Sequence, residues 1–191
     1  MVSRTFTLAA GAEPKPEIKA HFESTPWAAK FFDDSSFLPF EYQPRSSGGH
    51  RFIRETLATK DTIAAWQSFY KPPVLGTDVG ELYFLLSVGS NVDGHPNKAH
   101  GGFIAVVLDE VLGCEATYHC PPGKTTMTAY LTVTYKRPLD LPRVVLCRAW
   151  LEDKSSGKKL FCRGTIEDGE GGIYASGDGL WLEMGLDSVK L

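Results

Sequence analysis

His100-Gly101-Gly102-Phe103-Ile104-Ala105-Val106-Val107-Leu108-Asp109-Glu110 decides the reading of this chain. Two glycines open a strongly apolar segment, and a carboxylate, Asp109, sits inside it seven residues after the second glycine. An ionised carboxylate is costly to bury without a partner, so an acid in the middle of an apolar helix calls for a reason. A Gly-Gly start leaves bare backbone N–H groups at a helix N-terminus, where negative charge is favoured. One segment thus offers an oxyanion binder and a candidate base.

The apolar run continues through Thr117, long enough for a helix and apolar on most of its circumference, which predicts a central, buried element. Around it the pattern changes. Residues 81–88 read as a strand, and residues 89–99 as a turn-rich loop with Asn91, Gly94, Pro96 and Asn97. After it, Met127, Ala129, Leu131, Val133 and Tyr135 alternate with Thr128, Tyr130, Thr132, Thr134 and Lys136, the period of a half-buried antiparallel strand. Further strands are predicted over 143–152, 158–167 and 172–184, with turns at Ser155-Ser156-Gly157 and Gly169–Gly172. One strand, one long helix and four strands with short connections predict an α+β protein, an antiparallel sheet of about five to six strands wrapped around one helix.

Residues 1–75 are read as an N-terminal arm with short helices that pack on a domain spanning 76–191. Residues 1–16 form a loose arm. Ser24 or Thr25 caps a helix with Pro26 at its first position. Residues 35–50 form a loop with Pro39, Pro44, Gly48 and Gly49. Ile63, Ala64, Trp66, Gln67 and Tyr70 suggest a short amphipathic helix that ends at Pro72-Pro73.

Bulk properties narrow the function classes. The 191 residues are 42% hydrophobic and 23% charged, with a net charge of −3, which argues against binding of nucleic acid by overall charge. No stretch reaches the ~18 apolar residues that a membrane span needs. Cys114, Cys120, Cys147 and Cys162 form no CxxC pair and no metal-ligand spacing, and read as buried reduced thiols. Cytoplasm is the default compartment. The acid-free Met1–Ala12 leaves a mitochondrial presequence as an alternative, and Val189-Lys190-Leu191 partly matches a peroxisomal ending.

Two motifs carry a resemblance. The first is His100-Gly101-Gly102 with Ile104-Ala105 and Asp109. The second is Met127-Thr128-Ala129-Tyr130-Leu131-Thr132-Val133-Thr134-Tyr135-Lys136-Arg137-Pro138. Together, over about 80–185, they resemble the hotdog-fold acyl-CoA thioesterases of the 4-hydroxybenzoyl-CoA thioesterase superfamily, in the PaaI-like branch. The resemblance implies a hotdog fold and hydrolysis of an acyl thioester. It implies no cofactor beyond the CoA or phosphopantetheine of the substrate, and a homodimer or dimer of dimers with sites between subunits.

Carried over residue by residue, the resemblance makes Asp109 the general base or nucleophile. The Gly101 N–H becomes the oxyanion donor, next to Gly102. Thr128 supplies a hydroxyl that holds the water or base, and His100 positions the loop. Glu110 faces about 100° away from Asp109 on a helix and is read, like Glu115, as a salt-bridged or solvated acid. Lys136 and Arg137 are placed near the CoA phosphates. Relatives carry an upstream Asn, for which Asn97 is the nearest choice although its spacing departs from the pattern. Trp27, Phe31, Phe32, Trp66 and Tyr70 would cover an acyl tunnel. Alternatives are a carrier-protein thioesterase, an enoyl hydratase or dehydratase, and a non-catalytic acyl-binding domain.

Overall fold

In the computed structural model, residues 13–41, 50–73 and 79–185 are described, without the side chains of 154–156. The start of the predicted arm (1–12), half of the predicted loop, with Gly48 and Gly49 (42–49), and the chain end at Val189-Lys190-Leu191 lie outside them. The order is helices α1 (Pro16–Glu23) and α2 (Pro26–Asp33), strand β1 (Leu38–Phe40) and a π-helical turn (Phe52–Thr56). Strands β2 (Ile63–Lys71), β3 (Glu81–Val88), β4 (Asp93–His95) and β5 (Lys98–Ala99) follow. Then come helix α3 (Gly101–Tyr118) and strands β6 (Lys124–Tyr135), β7 (Arg143–Ser156), β8 (Lys159–Glu167) and β9 (Ile173–Gly185). None of the described helices is long and apolar enough to cross a membrane.

Seven strands form one sheet in the order β1-β2-β3-β7-β8-β9-β6, and every pairing is antiparallel. Helix α3 lies across its inner face. Phe103, Ile104, Val107, Leu108, Val111 and Leu112 are buried there. Glycines on the strands set how close the helix comes. A Cβ on Gly164 would stand 2.7 Å from Leu112 Cδ2, and one on Gly177 would stand 3.2 Å from Leu112 Cδ1. The four cysteines are buried thiols, as read from the sequence, and burial pushes the Cys147 and Cys162 thiols up.

Two expectations are corrected. Residues 63–71, read as a helix, form strand β2, and Leu38–Phe40, inside the predicted loop 35–50, form β1, so the sheet has seven strands where five to six were expected. The physical reason is burial on both faces. Ile63, Trp66 and Tyr70 pack on the α3 side of the sheet, while Ala65 and Phe69 pack against α1 and α2. A strand covered on both sides loses its polar alternation, and its apolar residues then fit a helical spacing by chance.

The second correction concerns the aromatic residues. Phe31 and Phe32 stack with Phe22, Phe37, Phe69 and Tyr83 in a core on the outer face of the sheet, with Trp27 packed against it. They lie behind the sheet from α3, whereas Trp66 and Tyr70 lie on its α3 side. The predicted helix start is as expected in position, with Thr25 at the cap and Pro26 first in α2, although the Thr25 side chain makes no capping bond.

Candidate active site

The site is built on the first three turns of α3 and on β6, an edge strand of the sheet. His100 is the N-cap of α3, and its Nδ1 accepts a 2.9 Å hydrogen bond from the Gly102 N–H. That bond fixes the ring as a capping acceptor, and a Cβ on Gly102 would press within 2.9 Å of the same Nδ1. The His100 N–H donates to the Val92 carbonyl at 2.8 Å. The Gly101 carbonyl accepts from the Tyr135 hydroxyl at 2.9 Å. With its neighbours so engaged, the Gly101 N–H has no bonding partner among the described residues. It lies at the positive end of an 18-residue helix, where an oxyanion is favoured.

Asp109 is half-buried, two turns further along α3. Its Oδ1 accepts a 2.8 Å hydrogen bond from the Thr128 hydroxyl, and no other bond to it is found among the described residues. Strand β6 brings this pair together through a β-bulge between Thr128 and Tyr130. Before the bulge Thr126 and Thr128 face α3, and Thr126 is 2.8 Å from Thr117 of the helix. After the bulge Leu131 and Val133 pack on the α3 core and Tyr135 reaches Gly101. The simple alternation expected for this strand is therefore wrong at its start. Met127, read on the face of Leu131 and Val133, is 50% exposed. A bulge adds one residue to a strand and re-aims the side chains beyond it.

The remaining predicted residues divide. Asn97 is exposed, with φ of 57° in the turn between β4 and β5, and its carbonyl accepts from the Leu141 N–H at 3.0 Å. It forms no bond to Asp109, Thr128 or Gly101. Asparagine tolerates this left-handed backbone, so the turn accounts for the residue type. Arg137 donates to Asp168 Oδ2 at 2.5 Å and lies 4.1 Å over the Tyr174 ring. Partial burial opposes ionisation of Asp168, but Arg137 and the Glu170 and Gly172 N–H groups outweigh it and hold the carboxyl down at about 2. Lys136 follows directly on Tyr135 and is exposed. Glu110 pairs with His50 at 3.3 Å, away from Thr128, as its helical angle requires.

Glu115, read as salt-bridged or solvated, is fully buried. Its Oε1 is 2.7 Å from His119 Nε2, one helical turn on, while its Oε2 has no hydrogen-bond partner. Burial raises its pKa, with His119 pulling the other way. The sequence signal was a Glu and a His at i, i+4 on an apolar helix. Tyr135, also missed as a site residue, had its signal at the end of the Thr-rich strand.

Asp109 and Gly101 are eight residues apart in one helix, roughly 12 Å along its axis at about 1.5 Å per residue. The carboxylate and the amide of one chain therefore do not meet on one small group.

The profile of the thioesterase superfamily matches residues 97–175, the stretch that holds α3, β6, β7 and β8. Acyl-coenzyme A thioesterase THEM4 of Xenopus laevis is 40% identical over 77 residues, 40% of this chain and 33% of that protein. The Mus musculus THEM4 is 35% identical over 101 residues, 52% of this chain and 42% of that protein. The chain thus spans less than half the length of these curated relatives. Among solved structures, a putative thioesterase of Ralstonia eutropha, described as a phenylacetic acid degradation-related protein, superposes with a TM-score of 0.55 at 17% identity. That match covers 72% of this chain and 94% of the other. A Haemophilus influenzae thioesterase gives 0.52 at 14% identity, over 61% and 79% of the two chains. These structures bear on the fold alone. Residues 97–175 thus match the thioesterase superfamily in sequence, and the central helix and antiparallel sheet have the hotdog fold.

Proposed function

We propose that this protein hydrolyses an acyl thioester of CoA, or of a phosphopantetheine carrier, to a free acid and a thiol. The observation that carries the reading is the Thr128–Asp109 hydrogen bond on the helix that also presents the unpartnered Gly101 N–H. In this mechanism one oxygen of Asp109 is held by Thr128 and the other takes a proton from water. The water oxygen bonds to the thioester carbonyl carbon, and the resulting oxyanion is stabilised by the Gly101 N–H. The C–S bond then breaks, and the departing sulfur receives the proton held by Asp109. Direct attack by the carboxylate, followed by hydrolysis of the mixed anhydride, uses the same two groups.

The separation of Asp109 and Gly101 along α3 favours a homodimer in which each site takes Asp109 and Thr128 from one protomer and the Gly101 N–H from its partner. Strand β6 suits this assembly. It is a sheet edge with Met127 at 50% and Tyr130 at 48% exposure, an apolar edge of the kind that pairs. Lys136, exposed at the end of β6, is the cation assigned to the CoA phosphates, whereas Arg137 serves mainly to hold the corner against Asp168.

The test is thiol release, followed with a thiol reagent, from a panel of aliphatic and aromatic acyl-CoAs and acyl-pantetheines. Turnover of at least one class supports the proposal. Failure across the panel, or enoyl hydration on the same substrates without thiol release, overturns it. Sedimentation of the purified protein tests the dimer.

A further inference from the structure

We infer that Tyr135 is a positioning residue for the oxyanion-binding amide of Gly101; this inference rests on the hydrolase reading above. The peptide that carries the Gly101 N–H has its own carbonyl, that of His100, held by the Ile104 N–H at 3.1 Å, and three further bonds hold the backbone on either side of it. The His100 N–H to Val92 bond and the Gly102 N–H to His100 bond are local, made by the helix start and the loop before it. The third, from the Tyr135 hydroxyl to the Gly101 carbonyl at 2.9 Å, is the one that comes from the sheet. The ring also stands against the glycine itself. A Cβ at Gly101 would meet Tyr135 Oη at 3.4 Å and Cε1 and Cζ at 3.5 Å.

The strand is shaped for this contact. Thr128 and Tyr135 are seven residues apart, so in a regular strand they would face opposite sides of the sheet. The bulge between Thr128 and Tyr130 adds the residue that turns both toward α3. One strand therefore holds the base through Thr128 and the amide through Tyr135. The corner beyond is fixed as well. The Lys136 and Arg137 N–H groups both donate to the Tyr174 carbonyl, at 2.8 and 3.2 Å, and Arg137 is tied to Asp168. An oxyanion donor acts by being in place before charge develops, and small displacements are costly in rate. Tyr135 supplies the lateral support that keeps the amide in place.

The variant is Tyr135→Phe, which keeps the ring and removes the bond. The expected result is a fall in kcat of about tenfold with KM changed less than about twofold. In a Gly101→Pro background, which has no amide to position, Tyr135→Phe should lower the residual kcat no further. A structural role alone would lower both backgrounds alike, and that result, or an unchanged kcat in the otherwise native protein, overturns the inference. The amide resonance of Gly101 gives an arm independent of activity. Tyr135→Phe should shift it while resonances of β2 and β3 stay put. If no thioester is cleaved by the native protein, the hydrolase reading falls. The resonance then decides the contact alone, and an unmoved Gly101 signal overturns it.

Discussion

The Thr128 hydroxyl donates to Asp109 Oδ1 at 2.8 Å, joining an edge strand to the central helix. Removing the donor frees the carboxylate to rotate and leaves Oδ1 to water. Hydrogen bonds to charged groups are worth about 1.5–3 kcal/mol. Thr128→Ala should therefore lower kcat by roughly ten- to a hundredfold, and Thr128→Ser should retain most of it. Steady-state kinetics on the best acyl-CoA of the panel checks this.

Gly101 is the first residue of α3, and His100 before it has φ of −65° and ψ of 135°. Proline is accepted at the first helical position, and this His100 conformation is the one that a following proline favours. Gly101→Pro should thus fold with little change in Tm and still lose about a hundredfold or more in kcat, the scale of a lost oxyanion donor. Gly101→Ala should keep most of the rate. Co-expressed Gly101→Pro and Asp109→Asn chains should recover activity, because a mixed dimer rebuilds one intact site. Absence of recovery in isolated mixed dimers would argue against a shared site.

Much of this was legible in the sequence, for reasons tied to particular residues. The helix from Gly101 showed itself by length and apolarity, and strands β3 and β7–β9 by their runs and turns. Asp109, Gly101 and Thr128 were marked by the resemblance, and the structure joins Asp109 to Thr128. Strand β2 was hidden because Phe69 and Tyr70 are covered from opposite sides of the sheet. The bulge at Ala129 leaves no mark in an alternating run, so Met127 was placed on the wrong face. Asn97 answers to a backbone turn, a demand that spacing alone does not reveal.

Gly169 lies in the turn between β8 and β9 with φ of 80°, and a Cβ there would run into the Trp27 indole of α2. The left-handed backbone alone costs a non-glycine residue about 1–2 kcal/mol. Gly169→Ala should destabilise the protein by at least that amount. Combined with Trp27→Ala the loss should be less than additive, since the clash is gone. Chemical denaturation of the two single variants and the double variant checks this.

Glu115 gives a pH-dependent prediction. Burial raises its pKa, so the protonated acid is the form the folded core favours. The stability this contributes is fully present below the unfolded pKa of about 4.3 and is lost as pH rises through the folded value. Glu115→Gln keeps the shape without the charge. Its Tm relative to the native protein should rise between pH 5 and pH 8, and a constant difference would contradict this.

The most direct test of the account is the Asp109→Asn variant in the thiol-release assay, on an acyl-CoA that the native protein cleaves. The substitution keeps size and an acceptor for Thr128 and removes the base. The account predicts a loss of kcat of about a hundredfold or more, with native Tm. A variant that folds normally and releases thiol at the native rate would contradict it.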